Sequence, residues 1–215
     1  MTADDSKSKY LNNLLISYLK RNQPYNLDVG FTLLEVLTAV LLIGVLSAII
    51  APSWLGFTNR QRLGQVNDGI LSALRTAQTE AKKTKTSYSA EFKIENNIPQ
   101  FLVYPTKNRP ISGWQNLGRN IEIKPKQILL YTNIESENKA FADKKVRDTQ
   151  AGSGRITFDY LGALGKINGS DPVTPLIIMV SPPKSGTNQA SSMRRCVIVE
   201  SLIGGMRIEK DTQCK

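Results

Sequence analysis

The sequence predicts an α+β protein in which one long N-terminal α-helix packs on antiparallel β-sheets. Three observations lead there. Residues 31–51 form an apolar run interrupted only by Thr32, Glu35, Thr38, Gly44 and Ser47. Beyond Pro52 the apolar residues Leu63, Val66, Ile70, Leu74, Ala77 and Ala81 recur every three or four positions, with Arg62, Gln65, Asp68, Arg75 and Gln78 on other faces, the spacing of a helix that packs on one side. After Lys85 the pattern changes to short β-branched and aromatic segments bounded by Gly, Pro, Asn or Ser, the signature of strands and turns.

The run at 31–51 is long enough to cross a hydrocarbon core of about 30 Å as a helix. It exceeds the roughly 7–15 apolar residues of a secretory signal, and Ile49 and Pro52 disfavour cleavage after Ala51. Glu35 is the anomaly, because a carboxylate inside a membrane costs about 2.5–3.5 kcal/mol and is seldom kept without a partner. No Lys or Arg lies near it in sequence, so its counter-charge must come from another chain or from a newly made terminus. Lys20 and Arg21 upstream balance Arg60 and Arg62 downstream, so charge alone leaves the orientation of the segment a tie.

With its amphipathic continuation over residues 53–85 the helix exceeds 50 residues, about 75–80 Å at 1.5 Å per residue. Pro52 removes one helical hydrogen bond, and a bend is expected there. Strands are expected at residues 88–94, 100–104, 120–124, 127–132, 154–160, 175–181, 195–200 and 206–210. The polar stretches 135–151 and 182–193 read as mobile loops.

Composition limits the chemistry. The 215 residues include 28 Lys and Arg against 18 Asp and Glu, two cysteines and no histidine. That excludes Ser-His-Asp and Cys-His catalysis, His-ligated zinc and Cys₄ metal sites. The carboxylate pairs Glu91/Glu95 and Glu135/Glu137, Lys166 and Lys184 have no recognisable activating setting, so the expectation is no enzyme, no catalytic residue, no metal site and no cofactor. The net charge of +10 favours an anionic partner. Basic clusters occur at Lys82-Lys83-Lys85, Lys124/Lys126, Lys144-Lys145-Arg147, Arg194-Arg195 and Arg207/Lys210. Convergence of several on one face would give salt-sensitive DNA binding, whereas scattered charge would be only a solvated surface.

Gly30-Phe31-Thr32-Leu33-Leu34-Glu35, followed by the apolar run and Pro52, resembles the class III signal of type IV prepilins and type II secretion pseudopilins. The resemblance implies a pilin-like fold, a leader of residues 1–30 and cleavage between Gly30 and Phe31 by a prepilin peptidase and N-methyltransferase that also methylates Phe31. It further implies an assembly helix at 31–52 and packing of that helix beside other pilins or pseudopilins. Glu35 would then neutralise the terminal ammonium of a neighbouring subunit, which is how a buried charge becomes tolerable. The chain would sit in the bacterial inner membrane with its leader cytoplasmic and residues 86–215 outside, and pass into a pilus or pseudopilus on assembly. The leader is longer than many, carries Asp28 where a basic residue is frequent, and spaces Leu11, Leu14, Leu15, Tyr18 and Leu19 like one helix face.

The order Gly154-Arg155-Ile156-Thr157-Phe158, Arg194-Arg195-Cys196-Val197-Ile198-Val199 and Gly204-Gly205-Met206-Arg207-Ile208 resembles the GspH/FimT branch of minor pilins and pseudopilins. Some members of that branch bind DNA through a Gly-Arg-x-Arg turn. Here glycine replaces the first arginine, which leaves Arg194, Arg195, Arg207 and Lys210 as the DNA-binding candidates. Outside the cytoplasm Cys196 and Cys214 could form a disulfide worth about 3 kcal/mol. Free thiols are the alternative, because a hairpin turning near Ile203 sets Cys196 opposite about Lys210. Filaments of this architecture serve motility, adhesion, secretion or DNA uptake. The leading expectation is a minor subunit with an assembly role, with a DNA receptor second and an anchored domain that never assembles third.

Overall fold

The computed structural model describes residues 30–118 and 121–214, without the side chains of residues 49–53 and 55. The spacing noted in the leader lies outside the described residues. The chain divides into two compact units, Met1–Ala51 and Pro52–Lys215. In the first, the described residues are the non-helical residues 30–32 and the opening of helix α1, Leu33–Thr84.

In the second unit the helix continues through the amphipathic stretch, and all six stripe residues are buried: Leu63, Val66, Ile70, Leu74, Ala77 and Ala81 are each at most 1% exposed. That face meets two antiparallel sheets. The first has the order β3-β2-β1-β7, with β1 at Tyr88–Glu95, β2 at Ile98–Pro105, β3 at Gln115–Asn116 and β7 at Gly154–Phe158. The second has the order β10-β9-β8-β4, with β4 at Leu129–Thr132, β8 at Leu176–Ser181, β9 at Arg195–Val199 and β10 at Met206–Lys210. Phe92, Ile156 and Phe158 from one sheet and Leu130, Ile178, Val180, Val197 and Val199 from the other close one core around the helix. The architecture is therefore the expected one, a helix on antiparallel sheets.

Strand alternation explains why the second sheet needs a cover. In β8, Leu176, Ile178 and Val180 face the helix, while Ile177 and Met179 join a second apolar cluster with Leu129, Tyr131, Val146, Ala190, Cys196, Ile198 and Cys214. Every residue of β8 is buried, as in a strand covered on both faces. Residues from the 135–151 and 182–193 stretches and the C-terminal tail supply that cover.

Two expectations are corrected. The strand expected at 120–124 is irregular over its described residues 121–124, because Lys124 accepts a bond from Gln127 in a turn continued by Lys126 at φ +63°. The 135–151 stretch contains a small hairpin, β5 at Ile134–Ser136 with β6 at Lys139–Ala140. Its turn residue Asn138 is buried and bonds to strand β7, donating to Thr157 O and accepting from Thr157 N. The two-residue strand β3 was also not foreseen.

Candidate functional site

Four regions carry the candidate residues. The first is the start of α1. Thr32 precedes the helix, and its hydroxyl accepts the backbone N–H of Glu35 at 3.2 Å while its carbonyl accepts that of Val36. Thr-x-x-Glu is the residue spacing of a helix N-terminal capping box, a signal already present in the sequence. Glu35 lies in the first turn, where the helix dipole favours a carboxylate. It is exposed, with no ion pair among the described residues. Eleven large apolar side chains from Phe31 to Leu46 are 51–81% exposed. Among the described residues no helix is long and apolar enough to cross a membrane.

The second region is the C-terminal clasp. Cys196 and Cys214 are disulfide-bonded. Cys196 stands opposite Glu209 in the β9–β10 ladder, so the tail has to turn back to reach it. It does so in the short turn Asp211–Gln213. Asp211, at φ +52°, donates its N–H to Arg194 O, and Cys214 N–H donates to Asp211 O. The bond thereby holds the tail against the outer face of the second sheet.

The third region is the set of DNA-binding candidates, which the fold splits. Arg195 and Lys210 are direct cross-strand partners, and Val197, two residues on, faces the helix. Alternation places Arg207 on the other face, opposite Ile198. Arg207 is bound by Glu200 and Glu209. Arg194 pairs with Asp148 at 2.7 Å and donates from Nε to Ser191 O. The four cations therefore form no single row.

The fourth region is the far end of the β9–β10 hairpin. Tyr160, Leu161, Leu202 and Ile203 are 52–79% exposed on two adjoining turns. Leu164 N–H donates to Leu202 O at 2.7 Å, and Gln78 of α1 donates to both Gly162 O and Gly204 O. The φ of +79° at Gly204 suits glycine, and a Cβ there would lie 2.7 Å from Gly162 O. Gln78, which the sequence pattern placed on a polar face, is thus the clip between the two turns.

The carboxylates weighed for catalysis are held in ion pairs. Glu95 pairs with Lys93, Glu135 with Lys139, and Glu137 with Arg155 and the Thr157 hydroxyl. Glu91 accepts two bonds from Arg109 at 2.8 and 2.9 Å and one from Tyr104 at 2.7 Å. Burial alone would raise its pKa, but the Arg109 and Tyr104 bonds and the charges of Arg109 and Arg155 outweigh burial and hold it below the ordinary value. Burial pushes the Tyr104 hydroxyl up. Lys166 pairs with Asp171 at 2.8 Å. Among the described residues no group of three or more His, Cys, Asp or Glu could hold a metal ion.

Fold and candidate sites together define a class: a helix-on-sheet protein with an exposed apolar N-terminal segment and a disulfide-clasped C-terminal unit. No protein-family model matches the sequence, and no curated protein matches it. Among solved structures, the crystal structure of the type IV minor pilin FimU of Pseudomonas aeruginosa aligns with a TM-score of 0.43 at 14% identity, over 74% of this chain and 99% of that one.

Proposed function

We propose that the chain is a minor pilin or pseudopilin, made as a prepilin, cut between Gly30 and Phe31 and incorporated into a pilus-like filament or its tip complex. Its role is assembly and interaction. The observation that carries this reading is the continuous exposure of apolar side chains from Phe31 to Leu46 on a helix that opens one residue after Thr32. That much apolar surface calls for a cover from outside the chain. A bilayer before assembly and neighbouring helices after it would supply one. Glu35 supports the same reading, since an exposed carboxylate among apolar neighbours would gain its counter-charge from the ammonium that cleavage creates.

The reading as a DNA receptor has less support, because two of its four cations are already neutralised and the pairs face opposite ways. An anchored domain that never assembles would leave Glu35 without a partner. Replacement of Glu35 by Ala separates an assembling subunit from an anchored domain. Cleavage at Gly30–Phe31 is expected to persist while recovery of the subunit in sheared filament fractions falls at least tenfold; normal recovery would remove the pairing argument.

A further inference from the structure

We propose that strand β10 is a docking edge for a second copy of this chain, and that two β10 strands pair antiparallel about Ile208. The inference uses residues of the second unit alone and goes beyond the filament reading.

The hydrogen-bond phase of the β9–β10 hairpin decides what the edge offers. β10 ends its sheet and has a neighbouring strand, β9, on one side only. Continued in both directions, the register sets Gly205 opposite Glu200 and Asp211 opposite Arg194. Both pairs are bonded: Glu200 N–H donates to Gly205 O, and Asp211 N–H to Arg194 O. Bonded pairs alternate along an antiparallel ladder, so Arg207 and Glu209 also turn their backbone groups toward β9. Met206, Ile208 and Lys210 turn theirs away, and none of these groups makes a backbone bond outside the sheet among the described residues. The strand contains no proline, its register is unbroken, and Ile208 is 40% exposed. An edge of this kind is a template for another strand.

Charge selects the occupant. With Ile208 opposite Ile208 of the second copy, Met206 faces Lys210 and Arg207 faces Glu209 in both directions. All the outward N–H and C=O groups then find partners, each facing pair exchanging both of its bonds. Arg207 and Glu209 form the closer kind of pair, the one without backbone bonds, where opposite charges attract across strands. The neighbouring registers that still match the outward groups set Met206 or Lys210 against Ile208. The first brings Arg207 onto Arg207 and the second Glu209 onto Glu209, and like charges so placed are unfavourable. The order Met-Arg-Ile-Glu-Lys therefore complements itself in one register, as an interface between identical surfaces requires. Each Arg207 keeps its bond to Glu200, and the ion pair of Arg207 with Glu209 in one chain extends into an alternating row across two. A five-residue strand makes a small, reversible interface, with a dissociation constant of about 10–100 µM.

The test uses the full chain in excess neutral detergent, which covers the apolar segment, and reads sedimentation equilibrium and amide hydrogen exchange. A dimer is expected in which the Ile208 amide becomes protected as concentration rises, while the Arg207 amide, already bonded to β9, changes little. Arg207→Glu and Glu209→Arg should each weaken self-association at least tenfold, since each turns both ion pairs into like-charge contacts. An equimolar mixture of the two variants should pair within about threefold of the native chain, because every contact between them joins opposite charges again. Self-association that survives in both single variants, or a mixture that does not pair, overturns the register. A native chain that is monomeric at about 1 mM, or a dimer that leaves the Ile208 amide unprotected, overturns the docking edge, and neither reading depends on a variant that folds.

Discussion

Apolar side chains of the same helix meet opposite fates in the two units. From Phe31 to Leu46 they are more than half exposed, whereas Leu63, Val66, Ile70 and Leu74 are sealed by two sheets. The difference follows from what each stretch has to pack against. Residues 53–85 keep a polar face for water and an apolar face for the sheets, so one chain satisfies them. Residues 31–51 are apolar all round apart from Glu35 and a few small residues, and a helix of that kind is covered by something outside itself. The second unit should therefore owe its stability to its own core, and the first to its surroundings.

Substitution at matched positions tests that division most strongly. Leu74→Ala should lower the unfolding free energy of the second unit by about 3 kcal/mol, the usual cost of a leucine-sized cavity. Leu41→Ala should leave the same denaturation curve unmoved and appear only as weaker membrane retention or filament incorporation. A Leu41→Ala variant that unfolds as readily as Leu74→Ala would break the comparison.

Opening the clasp should have the next largest effect. Reduction of Cys196–Cys214, or its replacement by two alanines, removes an 18-residue constraint and should cost about 3 kcal/mol in the chain-entropy view. Faster amide exchange in β9 and at residues 211–214 should accompany it, with α1 at residues 33–48 unaffected. An unchanged melting curve would show that the tail holds without the bond.

The Glu91 cluster should give the smallest effect. Its carboxylate is held below the ordinary pKa of 4.5, so its contribution is full above the unfolded value and is lost as pH falls through the folded one. Glu91→Gln should cost about 1 kcal/mol at neutral pH, given the partial exposure of the pair. It should also flatten the fall in stability below about pH 5. An equally steep acid limb in the variant would assign that limb to other carboxylates.

Much of this was legible in the sequence, for reasons that differ by element. The helical stripe was readable residue by residue because 3.6-residue periodicity is a local signal, and the strands with strong alternation were readable likewise. The hairpin at residues 134–140 was not, because its strands are polar and short and are held by buried Asn138 through bonds to residues nearly twenty positions away. The disulfide turned on a backbone reversal at Asp211 that no pattern announces. The split of Arg194, Arg195, Arg207 and Lys210 was implicit in strand alternation once the register was known, and the register is a tertiary property. Gln78 looked like surface because its partners, Gly162 and Gly204, lie 84 and 126 residues away.

The central claim is that the exposed apolar helix becomes the processed end of a filament subunit. It is tested most directly by mass analysis of the N-terminus of the protein extracted from membranes of cells with an active prepilin peptidase. The account predicts a chain beginning at methylated Phe31, with the four basic and three acidic residues of the leader gone and a net charge of +9 remaining from +10. A mature protein that retains residues 1–30 in those cells would contradict it.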